Sequence, residues 1–234
     1  MTETPDPSKT PQRRLYGRAQ GKPLSSRQQG LVDDLLPKIS IPDGAPGTLD
    51  PTSLFGGADK VWLEIGFGGV EHLTGQSATY PDVGFLAAEP FLDGVAKALT
   101  GIQERGLENI RMRRGDARLL VDQLVANSVD RVFILFPDPW PKTRHRKRRI
   151  IQPDFVAELA RIVKPGGCLR FATDWADYAE RALGDMLADG RFDWSADRAD
   201  DWRQPPVDHI TTRYQEKRLG DCAPVFLNFV RCSG

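Results

Sequence analysis

Five apolar runs, VWLEIGF from Val61, VGFLAAE from Val83, NIRMRRGDA from Asn109, DRVFILF from Asp130 and CLRFATD from Cys168, alternate with stretches of helical periodicity. The helical stretches cover 70–78, 91–105, 118–127, 154–163 and 176–188. Five such alternations predict an α/β fold, a mostly parallel central sheet with helices on both faces. The apolar run 225–230, after Pro224, predicts one closing strand, and KPGG at 164–167 predicts a helix stop before the fifth strand. Ahead of this region, 28–37 carries Leu31, Leu35 and Leu36 at helical spacing and is expected to end at Pro37, and 42–59 is a Pro/Gly-rich linker. Residues 1–27 are rich in Pro, Ser, Lys and Arg and hold too little apolar surface to bury themselves. The expected organisation is therefore a basic tail over 1–27, a short helix and linker over 28–59, and one folded domain over 60–234.

The chain has 234 residues, of which 40% are hydrophobic and 27% charged, an ordinary globular composition. No apolar run reaches the ~18 residues of a membrane span and the first residues hold no secretory core, so a cytoplasmic address and no membrane partner are expected. Cys168, Cys222, Cys232 and the three histidines lack the spacing of a disulfide frame or a zinc site, so no metal is expected. Nothing in the sequence marks an oligomeric state. Net charge is zero but unevenly spread: Arg13, Arg14, Arg18 and Lys22 are basic, as is 142–149, whereas 174–201 holds nine acids against three arginines. Such polarity orients a polyanion toward one face.

The basic stretch follows directly on the fourth strand. In FPDPWPKTRHRKRR, prolines at 137, 139 and 141 alternate with Asp138, Trp140 and Lys142. Proline fixes its own φ and pushes the preceding residue toward extended geometry, so Asp138 leaves the strand on a stiff, non-helical segment. The Lys/Arg run behind it, Arg144, Arg146, Lys147, Arg148 and Arg149 included, repels itself unless phosphates neutralise it. A solvated basic helix start would carry the same residues.

Glu64 ends the first strand and is followed by Gly66, Gly68 and Gly69; Glu89 ends the second; Asp116 closes the third in the motif GDA. Ligands of open α/β sheets bind at the carboxyl ends of the strands, where glycines let them approach the backbone. An acid at Glu89 also suits a dinucleotide's ribose, but a GxGxxG pattern from Gly66 needs glycine at 71, where the chain has Glu71. A pyrophosphate there would meet Glu64 and Glu71. S-adenosylmethionine carries a sulfonium and an ammonium and no phosphate, so acids suit it: Glu89 for the ribose hydroxyls, and Asp116 with neighbouring backbone for the adenine amine.

Together these residues resemble a class I methyltransferase, and PDPWPKTRHRKRR resembles the tRNA (guanine-N(7)-)-methyltransferase family. The likeness extends through RLYGRAQGKPLSSRQQ, LEIGFGGVEHL, FATDWADYAE and TTRYQEKRLG, most of the chain beyond about residue 13. It implies a Rossmann-like sheet with an antiparallel closing strand, S-adenosylmethionine as cofactor, tRNA as partner, and methylation of a guanine of the variable loop. By the same resemblance Glu64, Gly66, Gly68, Glu89, Asp116, Ala117 and Asp138 bind the cofactor, and Asp138 is catalytic. Lys142, Asp174 and Thr212, Arg213, Tyr214 and Gln215 are the implied substrate contacts. The chain departs from the family with Gln215 in place of the usual Glu and Thr143 in place of a common basic residue. An exocyclic amino methyltransferase and a non-catalytic RNA-binding protein are the competing expectations.

Overall fold

A computed structural model describes residues 15, 16 and 21–233. The helix expected over 28–37 begins earlier and divides in two. Ser25 and Gln28 form a reciprocal capping box that starts α1 at Ser26–Asp34, and Pro37 lies in the first turn of α2, Leu36–Ile39. Proline is tolerated there because the first turn needs no N–H, so it opens the second helix where it was expected to close the first.

The sheet strands are β1 Lys60–Ile65, β2 Val83–Glu89, β3 Ile110–Arg114, β4 Val129–Leu135, β5 Val163–Thr173, β6 Phe192–Trp194 and β7 Val225–Arg231. Their order is β3-β2-β1-β4-β5-β7-β6, with β1 to β5 parallel and β7 antiparallel to both β5 and β6. The sheet is mostly parallel with an antiparallel closing strand, as expected; β6 has no counterpart in the sequence reading, because three residues are too few to show a period. The helices that follow are α3 Glu71–Thr79, α4 Leu92–Arg105, α5 Ala117–Gln123, α6 Pro153–Ile162, α7 Ala176–Asp189, α8 Asp200–Arg203 and α9 Arg213–Lys217.

Strand alternation divides the core. Val61, Leu63 and Ile65 of β1 pack with Leu120, Val156, Leu159 and Met186 from α5, α6 and α7, while Trp62 packs with Leu73, Val95 and Leu99 from α3 and α4. Both faces are covered, which is why strands such as β2 read as unbroken apolar runs. Residues 164–167 do turn, but inside a strand: β4 pairs Val129 with Val163 and Arg131 with Cys168, so KPGG loops out of β5 as a bulge around Gly166 at φ 77. Lys164 closes that loop onto Asp130 at 2.9 Å. The linker packs along the sheet, with the Ile41 N–H on the Met112 carbonyl and Phe55 against Gly84.

Chain order reverses between β1 and β4, the place where open α/β sheets form a crevice at the strands' carboxyl ends. Glu64, Glu89, Asp116 and Asp138 all leave the sheet on that side.

Candidate active site

The turn after β1 opens on two glycines in left-handed backbone, Gly66 at φ 74 and Gly68 at φ 36. A Cβ at Gly66 would meet nothing within 4 Å, so the turn faces open space. Glu64 is buried behind it, its Oε2 2.8 Å from His72 Nδ1 on α3. His72 stacks edge-on against Phe133 and its Nε2 lies 3.4 Å from Gln76 Nε2.

Glu89, at the end of β2, accepts the Gly68 N–H on Oε2 at 3.1 Å and the Phe91 N–H on Oε1 at 2.9 Å. Burial raises its carboxyl above the ordinary range against the pull of those two bonds, and the negative charge of Asp138 raises it further. Asp116 caps α5 through the Arg118 N–H at 2.9 Å and also holds the Arg118 guanidinium at 2.6 Å. Both of its oxygens accept from Arg118, and Ala117 beside it is buried.

Across the crevice the chain leaves β4 under strain. Phe136 at φ 49 and Trp140 at φ 41 flank Pro137-Asp138-Pro139, and left-handed backbone costs a bulky residue about 1–2 kcal/mol. Neighbouring groups hold it: the Phe136 N–H donates to the Ala172 carbonyl at 2.7 Å, and Arg149 Nε donates to the Pro139 carbonyl at 2.7 Å. Trp140 packs under the Arg148 guanidinium at 4.9 Å and near His145 and Tyr16. The Asp138 carboxyl sits at the mouth of the crevice, raised above its ordinary range by the surrounding protein.

The basic run forms a 3-10 turn, Thr143–Arg148, and does not present all its cations alike. Lys142, Arg144 and Lys147 are exposed. Arg146 pairs with Asp177 at 2.7 Å while still 41% exposed, and Arg148 lies over Trp140 and Tyr16. Arg149, grouped with the phosphate contacts on sequence grounds, is instead buried against Pro139 and Asp177. A burial this complete leaves no mark in a run of like residues. Arg13, Arg14 and Arg18 lie outside the described residues.

The third wall is 212–220. Asp174 is 3% exposed and ties this wall down: Oδ2 accepts the Gly220 N–H at 2.9 Å, its carbonyl accepts the Cys222 N–H, and Oδ1 accepts the Tyr214 hydroxyl at 3.4 Å. Tyr214 lies against Phe136, Thr212 caps α9, and Arg213 pairs with Glu71 at 3.1 Å. The segment therefore spans from the glycine turn to the strained exit. Gln215 Oε1 lies 2.7 Å from His209 Nε2. Burial lowers the His209 pKa, which favours the neutral ring, and against the amide oxygen Nε2 is the donor. A neutral imidazole suits the neutral Gln215 as a Glu would suit an imidazolium; His209 and His72 were not singled out by sequence, having no spacing that marks them.

Gly220 tests this wall. A Cβ there would fall inside the van der Waals envelope of the Asp174 carbonyl and carboxyl. Gly220→Ala is expected to cost about 1–3 kcal/mol of overpacking, read as a Tm lowered by several degrees, with methyl transfer falling more steeply than stability. A variant with wild-type Tm and turnover would contradict the tie.

An open, mostly parallel sheet with a glycine turn after β1, acids at its strand ends and chain order reversed between β1 and β4 defines a class I methyltransferase. A family model described as a putative methyltransferase matches residues 58–226. A tRNA (guanine-N(7)-)-methyltransferase of Caulobacter vibrioides is 54% identical over 93% of this chain and 95% of its own length, and one of Hyphomonas neptunium is 52% identical over 92% and 98%. The solved 16S rRNA methyltransferase KamB superposes with a TM-score of 0.52 at 15% identity, over 74% of this chain and 88% of that one, a likeness of fold. The chain belongs to the tRNA (guanine-N(7)-)-methyltransferase family. Among the described residues no helix is long and apolar enough to cross a membrane, and no group of His, Cys, Asp or Glu is placed to hold a metal.

Proposed function

We propose that the chain methylates ring nitrogen 7 of a guanine in tRNA, in the variable loop, using S-adenosylmethionine, and that it does so in the cytoplasm where tRNA is. The observation that carries this is the placement of Asp138, on a strained exit of β4 with a basic turn behind it, at the same end of the sheet as Glu89 and the glycine turn. The donor set suits the cofactor: Gly66 leaves open space before the turn, and each Glu89 oxygen accepts one backbone N–H and keeps a lone pair for a ribose hydroxyl. When bound, S-adenosylmethionine supplies an electrophilic methyl group on a positively charged sulfur. Glu64, fixed by His72, contributes negative charge below that site. Ala117 lines the adenine side, while Asp116 acts there through the end of α5 that it caps with Arg118.

Guanine N7 is an acceptor with a free lone pair, so no base has to deprotonate it. Asp138 therefore orients the purine, accepting from its Watson–Crick edge, and stabilises the positive charge that the ring gains. Asp174 works at one remove, holding Thr212–Gln215 over the base. Lys142, Arg144 and Lys147 form the outward cationic lip for the tRNA backbone, with the N-terminal arginines as a second grip.

Glu89→Ala is expected to weaken S-adenosylmethionine binding by about 10–100-fold, the value of one charge-assisted hydrogen bond of roughly 1.5–3 kcal/mol, measured by titration calorimetry. Unchanged affinity would remove Glu89 from the site. Incubating the chain with methyl-labelled cofactor and unmodified tRNA, then digesting to nucleosides, tests the whole reading. Label in 7-methylguanosine is the expected result; label on an exocyclic amine, or none, would contradict it.

A further inference from the structure

Asp138 can orient a base only if its own backbone is held, and its flanks offer little to hold. Pro137 and Pro139 have no N–H, so the one polar backbone group of Pro139 is its carbonyl. Arg149 takes that carbonyl through Nε at 2.7 Å. The same guanidinium donates to Asp177 Oδ2 at 2.6 Å and lies 4.6 Å over the ring of Tyr178, with 1% of the side chain exposed. Asp177 Oδ1 meanwhile holds Arg146 at 2.7 Å. Tyr178 is fully buried, and its hydroxyl accepts the Ile151 N–H at 3.3 Å, two residues beyond Arg149. The first turn of α7 thus reaches the peptide that joins Pro139 to Trp140, the residue strained at φ 41. Burying a guanidinium is costly, more so with Nη1 left without a partner among the described residues, and here the cost is borne at the carbonyl of the residue that follows Asp138.

We propose that Arg149, braced by Asp177, is a positioning residue for Asp138 and not a contact to the tRNA backbone. This rests on the proposed function. Misplacement of a reacting group by about 1 Å costs about 10²-fold in rate, so the tether acts on turnover and not on affinity.

Arg149→Lys keeps the charge and loses the planar fork that serves Pro139 and Asp177 together; Asp177→Asn leaves Arg149 in place and removes the brace from a partly exposed position. With the full chain and tRNA, each is expected to lower kcat about 10–100-fold, with KM for tRNA and for S-adenosylmethionine within about threefold and the salt dependence of tRNA binding unchanged. In an Asp138→Asn background the same changes should add little, since no carboxylate remains to be aimed. A raised tRNA KM with a flatter salt dependence would make Arg149 a phosphate contact, and equal losses in both backgrounds would make it merely structural; either overturns the proposal. Should Arg149→Lys not fold, Asp177→Asn decides on the same criteria. Hydrogen exchange in the free protein is the readout that needs no turnover: faster exchange confined to 136–150 supports the tether, and an unchanged or global pattern contradicts it. Absence of methylation by the unaltered chain would instead sink the proposed function and leave the exchange result standing.

Discussion

Asp138→Asn is expected to lower methyl transfer to tRNA by about 10²–10³-fold, the usual loss on removing one electrostatic stabiliser from a site, with cofactor affinity within about threefold. Guanine becomes cationic as it accepts the methyl, and an amide offers a dipole in the same volume where the carboxylate offers a full charge. Single-turnover kinetics with calorimetric cofactor binding separates the two quantities. Retained turnover with lost cofactor affinity would move Asp138 to the donor side. The pH profile adds a second reading. The Asp138 carboxyl is raised by burial, so its ionised form is lost as pH falls through a value above the ordinary ~3.9. With cofactor saturating, the acid limb of kcat should stand above that value and disappear in Asp138→Asn. Because the folded state binds this proton more tightly, the stability it confers is present below the unfolded pKa and lost as pH rises through the folded one.

Neutralising Lys142, Arg144 and Lys147 together is expected to weaken tRNA binding by at least about tenfold at low salt and to flatten the plot of log K against log salt by about 2–3, since each phosphate contact contributes roughly 0.7–0.9 to the slope. These three are chosen because they are the exposed members of the run, whereas Arg146, Arg148 and Arg149 are engaged with Asp177, Trp140 and Pro139. Filter binding from low to moderate salt measures it. An unchanged slope would reassign the lip to a solvated face.

The parallel core was legible because burial on both faces leaves its strands as continuous apolar runs, and their limits follow from the acids and glycines that end them. Glu89 and Asp138 stand out for the same reason, each placed at a strand exit by the local pattern. What sequence could not show is where long polar side chains turn back on the protein. Arg149 and its exposed neighbour Lys147 have like chemistry in one run, and tertiary packing alone sends the first inward to Asp177. Asp116 is similar: its acid is visible, its pairing with Arg118 two residues on is not, since a cap and a free acceptor have the same sequence. The His209–Gln215 bond joins a turn to a substitution whose meaning appears only when burial is seen to favour the neutral imidazole. Pro37 is a reminder that proline limits helices at both ends, and only the cap geometry says which.

Borohydride and aniline treatment of tRNA after reaction tests the central claim most directly, because only a cationic 7-methylated guanine makes the chain break there. Unmodified tRNA incubated with the full chain and S-adenosylmethionine should be cut at one guanine of the variable loop, with no cut when Asp138→Asn replaces the parent over the same time. Methyl incorporation without scission would show that the crevice acts on another atom and contradict the account.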